Sequence, residues 1–145
     1  MSQYFDIGDE TLWNPSNGVS RLFRRQVAVF EAELELPSGI GPMVNDECQV
    51  SPDAFETFVN ALLAKHRRTS HAVLLALSEG FTATVLVLAE RAGIEVDWER
   101  HGTTSEAPLD VQVSTVVGMS APAHGGSWAA SLRERAGELG QRMPR

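Results

Sequence analysis

Four side chains in this sequence have the chemistry of a reactive centre: Cys48, His66, His71 and Glu79, with Asp46 close to the first. A nucleophilic cysteine needs its thiolate favoured by a cation, a histidine or a helix N-terminus. Cys48 is the only thiol, and its neighbours Asp46 and Glu47 would raise its pKa instead. The sequence reads it as a small buried strand residue. A metal site would draw on Cys48, His66, His71 and Asp46. The two histidines are five residues apart, which turns them about 140° from facing on one helix, so they meet only across a turn. No cysteine pair and no His-x3-His supports zinc, and the reading is no metal and no cofactor. Glu79 lies in an apolar run, where a carboxyl would have the raised pKa of a general acid. The plainer reading puts it at a helix edge beside Ser78 and Thr82, or paired with an arginine.

His124-Gly125-Gly126-Ser127 looks superficially like the glycine-rich oxyanion loop of esterases. The nucleophile elbow G-x-S-x-G that should accompany it does not occur, so the stretch reads as a linker. Neither G-x-G-x-x-G nor a P-loop is present, which leaves nucleotide binding without support. The alternative to a binding protein is a small hydrolase or ligand-binding enzyme, which needs a pocket that joins at least two of Glu79, His71 and Cys48.

The charge pattern carries more. The formal net charge is −7, which argues against a broad basic face for nucleic acid. Between positions 31 and 56 stand Glu31, Glu33, Glu35, Asp46, Glu47, Asp53 and Glu56, with no lysine or arginine among them. Arg21, Arg24 and Arg25 precede the first three, so cations lie near the start of a helix and carboxylates near its end, against the helix dipole. Either Lys65, Arg67 and Arg68 supply internal partners, or an external basic surface does. Internal pairing or solvation alone is the plainer reading of these acids; as the functional reading, the block is the candidate partner-binding surface, directed at a basic protein and able to steer it.

The elements that would position these groups follow from spacing. Tyr4, Phe5 and Ile7, then Leu12 and Trp13, flank Gly8-Asp9 as a hairpin. Apolar residues at Val19, Leu22, Phe23, Val27, Phe30 and Leu34 predict a helix from Gly18, stopped before Pro37. Residues 30–36 also alternate as a strand would, but Glu, Ala and Leu favour the helix. Glu47 to Val50 reads as a short strand. Ser51-Pro52-Asp53 opens a second helix with Phe55, Phe58, Val59, Leu62 and Leu63 inward. Ser70 would cap a third, from His71 to Ala92, with Val73, Leu74, Leu77, Phe81, Val85 and Leu88 as the most buried face of the molecule and Gly93 as its end.

That third helix is long enough to span a bilayer, but Ser78, Glu79, Gly80, Thr82 and Thr84 interrupt it, and a buried central helix is the expectation. The first twenty residues hold Asp6, Asp9 and Glu10 and no lysine or arginine, unlike a secretory signal. The expected location is the cytoplasm, with no membrane partner. Ile94 to Trp98 alternates like a strand. Beyond it, Leu109 to Val117 reads as a strand, Gly118 to Gly126 as a linker, and Ser127 to Leu139 as a last helix.

Three segments resemble a family of small uncharacterised actinobacterial proteins: Gly8 to Gly18, Asp46 to Phe55, and Glu79-Gly80-Phe81-Thr82-Ala83 onward to Gly93. The resemblance covers about residues 1–93. The family has no assigned activity, so it implies no functional residues and only strengthens the helical reading of 18–35 and 71–92.

Together these readings predict an α+β fold. A small antiparallel sheet, made of the N-terminal hairpin and the Cys48 strand, is packed by about three helices over residues 1–98. Residues 99–126 form a linker, and 127–145 a loosely attached helix and tail. The expected function is a non-catalytic interaction protein of the adaptor, regulator or toxin-neutralising type.

Overall fold

The computed structural model describes residues 1–98 and 127–145. The expected strand at 109–117 and linker at 99–126 lie outside the described residues. Strands β1 (Tyr4–Ile7), β2 (Glu10–Trp13) and β3 (Glu47–Gln49) form a sheet in the order β2-β1-β3. β1 and β2 are the expected hairpin, and Gly8 takes the positive φ of 58° at the first loop position. β3 pairs with β1 in parallel, Phe5 opposite Cys48. The sheet is thus mixed, whereas the sequence suggested an antiparallel one. Strand β2, antiparallel to β1, already brings the chain back to the end where β1 began, and a helix and loop then carry it to the far side of β1, where β3 starts.

That helix is α1 (Asn17–Leu34), so the helical reading of 30–34 holds over the strand alternation. Glu35 ends it in the left-handed region (φ 54°). Its buried side is Ser20, Phe23 and Val27, while Val19 and Leu22 face solvent. A second tight turn went unread in the sequence. Val44 and Glu47 exchange backbone hydrogen bonds of 2.8 and 3.0 Å across Asn45-Asp46. Both turn residues have positive φ, the geometry that asparagine and aspartate tolerate best after glycine.

Helix α2 (Pro52–Arg68) begins at Ser51-Pro52 as expected and buries Phe55, Phe58, Val59, Leu62 and Leu63. Helix α3 (Ala72–Arg91) differs from expectation in two ways. Its N-cap is His71, whose Nδ1 accepts from the Leu74 N–H at 3.4 Å, not Ser70. Its burial also changes along its length. Phe81 to Ala89 are buried except the half-buried Thr84, whereas Val73, Leu74 and Leu77 are 59%, 50% and 73% exposed. A wheel projection cannot show this, because it records the side a residue faces and not how far along the helix its neighbours extend.

Helix α3 closes in a Schellman motif: Gly93 (φ 66°) donates to Glu90 O at 3.1 Å, and Ile94 donates to Ala89 O at 2.9 Å. Residues 94–98 then run back along α2 without forming the expected strand. Their backbone is held by one side chain instead. Asn60 Oδ1 accepts from the Asp97 N–H at 2.9 Å, and its Nδ2 donates to Glu95 O at 3.4 Å.

Helix α4 (Ser127–Arg142) packs on α3 and is not loosely attached. Leu132, Ala136 and Met143 are buried in the same core as the sheet and the other helices. Arg91 locks the contact: Nη2 donates to Gly140 O (2.9 Å) and Met143 O (2.8 Å), and Nη1 donates to Leu12 O (2.7 Å). At the centre a run of rings joins the layers. Phe5 stacks on Trp13, Phe23 meets both edge-on at 5.6 and 5.3 Å, and Phe81 packs between Phe23 and Phe30.

Candidate functional site

The residues with reactive chemistry go to separate places. Cys48 is fully buried in β3, opposite Phe5, and its thiol donates to Gly41 O at 3.2 Å. Burial pushes its pKa up, only partly opposed by Arg24. His71 is spent as the cap of α3. Glu79 is exposed on α3 and acts on His66, a half-buried residue of α2. The His66 pKa is lowered by burial, against the pull of Glu79, and its buried Nδ1 has no hydrogen-bond partner among the described residues. Among the described residues, no three His, Cys, Asp or Glu side chains are grouped as a metal would need.

The acidic residues divide between structural and open positions. Glu31 accepts from both the hydroxyl and the backbone N–H of Ser38, and so closes the loop after α1. Glu33 pairs with Lys65, a partner within the fold, at 3.0 Å, though both ends are well exposed. Such a pair contributes about 0–1 kcal/mol. Asp46 accepts from Gln3 Nε2 at 3.0 Å and sits in the tight turn. Glu35, Glu47, Asp53 and Glu56 are exposed. Asp53 and Glu56, three residues apart, share one side of α2 with Asn60.

That side of α2 borders an open cleft of about 500 Å³. Its walls are Glu56 and Asn60 from α2, residues 95–98 of the returning segment, and Arg133 from α4. Local chemistry explains the placement. The Schellman turn reverses the chain, Asn60 pins the segment, and Ile94, Val96 and Trp98 pack partly against the core. The alternation read as a strand therefore still sorts inward from outward residues, although no strand forms. The Arg133 guanidinium lies over the Trp98 ring, 4.3 Å from its centroid, a contact of about 0.5–1 kcal/mol at an exposed site. Among the described residues the cleft thus brings the exposed carboxylates of Glu56 and Glu95 beside an indole.

Of the residues singled out from sequence, only Glu56 lines this cleft. Glu95, Asp97, Trp98 and Arg133 were missed. The signal was present as two acids alternating toward a tryptophan, but a strand reading assigns that alternation to sheet packing. Cys48, His71 and Glu79 do not line the cleft.

Helix α3 is long and apolar enough to cross a membrane by length and composition, with a mean hydropathy of 2.0, and 44% of its apolar window is buried within the fold. Neither a curated protein nor a solved structure matches the chain. The family match extends beyond the segments that carried the resemblance, into the C-terminal helix and tail. Over residues 1–145 the chain belongs to DUF6086, a family of unknown function.

Proposed function

We propose that the chain is a non-catalytic interaction protein, of the adaptor, regulator or toxin-neutralising type, that receives a basic segment of a partner protein in the cleft beside Glu56. The observation that carries this reading is the joining of the exposed Glu56 and Glu95 with the Trp98 indole around one open cavity. Carboxylates attract an ammonium or guanidinium group, and an aromatic wall adds apolar and cation–π contact to its stem. Asp53, one turn before Glu56, extends the negative row along α2 and would steer an approaching basic surface. The separation of Cys48 from the cleft, and the engagement of His71 as a helix cap, favour binding over hydrolysis.

The test is to titrate the purified chain with a short arginine-rich peptide while following the Trp98 indole N–H by NMR. The reading predicts a saturable shift of that resonance, weaker at high salt and lost in the Glu56→Gln/Glu95→Gln double variant. An unmoved Trp98 signal, or an unaltered response in the double variant, would contradict it.

A further inference from the structure

The first half of α3 is a strongly apolar surface that the described fold leaves uncovered. Val73, Leu74 and Leu77 are 59%, 50% and 73% exposed, and Ala72, Ala76 and Gly80 are exposed beside them. At 100° per residue, Ala72, Val73, Ala76, Leu77 and Gly80 share one side of the helix. A Cβ built on Gly80 meets nothing within 4 Å, so another helix has room to approach closely there. Single exposed apolar residues are ordinary, but a continuous apolar face marks a contact surface.

The charges around this face indicate what covers it. Lys65, Arg67 and Arg68 lie in the last turn of α2, just before the apolar stretch begins, and Glu79 ends it. An anionic lipid surface would attract the cations but repel Glu79. A second copy in antiparallel register answers both signs. The cations at the end of α2, which residues 69–71 join to the start of α3, meet the Glu79 end of the other copy's apolar stretch, the helix dipoles oppose, and the same patch serves both partners, as two-fold symmetry requires. From this charge complementarity and the exposure pattern we infer that two copies of this chain pair through antiparallel packing of α3 residues 72–80, about a two-fold axis near Ala76. The pairing is independent of the acidic cleft.

Analytical ultracentrifugation of the full chain over a wide concentration range tests it. The expected result is a reversible dimer whose dissociation constant rises by roughly thirtyfold in Leu77→Lys, the loss typical of a central interface residue. Circular dichroism should be unaltered, because Leu77 lies on the surface of the single chain. Ala76→Cys should give a disulfide-linked dimer on mild oxidation, whereas Thr57→Cys, exposed elsewhere on α2, should not. A chain monomeric at every concentration would overturn the inference, whether or not it then co-sediments with phosphatidylglycerol vesicles. So would a dimer indifferent to Leu77→Lys, or equal cross-linking at the two cysteine positions.

Discussion

The Phe30 ring lies flat against Phe81, with centroids 4.4 Å apart and planes within 2° of parallel. This pair marks the level at which α3 passes from solvent into the core, since Gly80 is exposed and Phe81 is buried. Phe81→Ala should therefore destabilise the chain by about 3–5 kcal/mol, the usual cost of emptying a core aromatic site. Leu77→Ala, one turn earlier, should change the stability of dilute chain by no more than about 0.5 kcal/mol. Urea denaturation of both variants checks the contrast, and equal losses would contradict the division of α3.

Much of the fold was legible because local rules agree there. Gly8-Asp9 specified the hairpin, Ser51-Pro52-Asp53 the start of α2, and Gly93 the end of α3. What stayed illegible depends on the third dimension. Burial along α3 is set by where α1, α2 and α4 reach, and the Asn60 clamp joins residues more than thirty positions apart. The attachment of α4 rests on Arg91 donating to carbonyl oxygens, and a backbone acceptor has no sequence signature. The cleft was missed for the same reason. Its acids come from two segments that α3 separates, whereas the sequence displayed only the contiguous block from Glu31 to Glu56.

Arg91 supplies a second prediction. Its guanidinium satisfies three carbonyls from β2, the end of α4 and the residue after it. A lysine cannot reproduce that fork. Arg91→Lys should cost about 1–3 kcal/mol, and hydrogen exchange should speed up mainly in α4. Unaltered protection in α4 would show that the clamp is not what holds it.

Glycine supplies a third. A Cβ on Gly39 (φ 77°) would lie 2.7 Å from both the Phe55 nitrogen and the Ser51 oxygen. The loop after α1 could not then keep its place against the start of α2. Gly39→Ala should destabilise by about 1–3 kcal/mol. Gly80→Ala, in open space inside a helix, should stabilise dilute chain by about 0.5–1 kcal/mol. Thermal melts of the two variants should move in opposite directions, and melts moving the same way would contradict this.

His66 makes stability depend on pH. Burial lowers its pKa in the fold below the ordinary value of 6.5, so the unfolded chain takes up that proton first as pH falls. The histidine's contribution is fully present above about 6.5 and is lost as pH falls from there to the lowered folded value. Between about pH 7.5 and 5.5, wild type should lose more stability than His66→Gln. Equal losses in the two proteins would contradict the assignment.

On the proposed reading, the cleft beside Glu56 receives a basic partner. The most direct measurement is capture from the native cell with the full chain as bait, comparing wild type with Glu56→Lys/Glu95→Lys and identifying what is retained by mass spectrometry. The predicted result is a basic protein held in stoichiometric amount by wild type, released by salt because surface charges are screened over about 8 Å at physiological ionic strength, and not retained by the double variant. A partner retained equally by both baits, or no stoichiometric partner at all, would contradict the account.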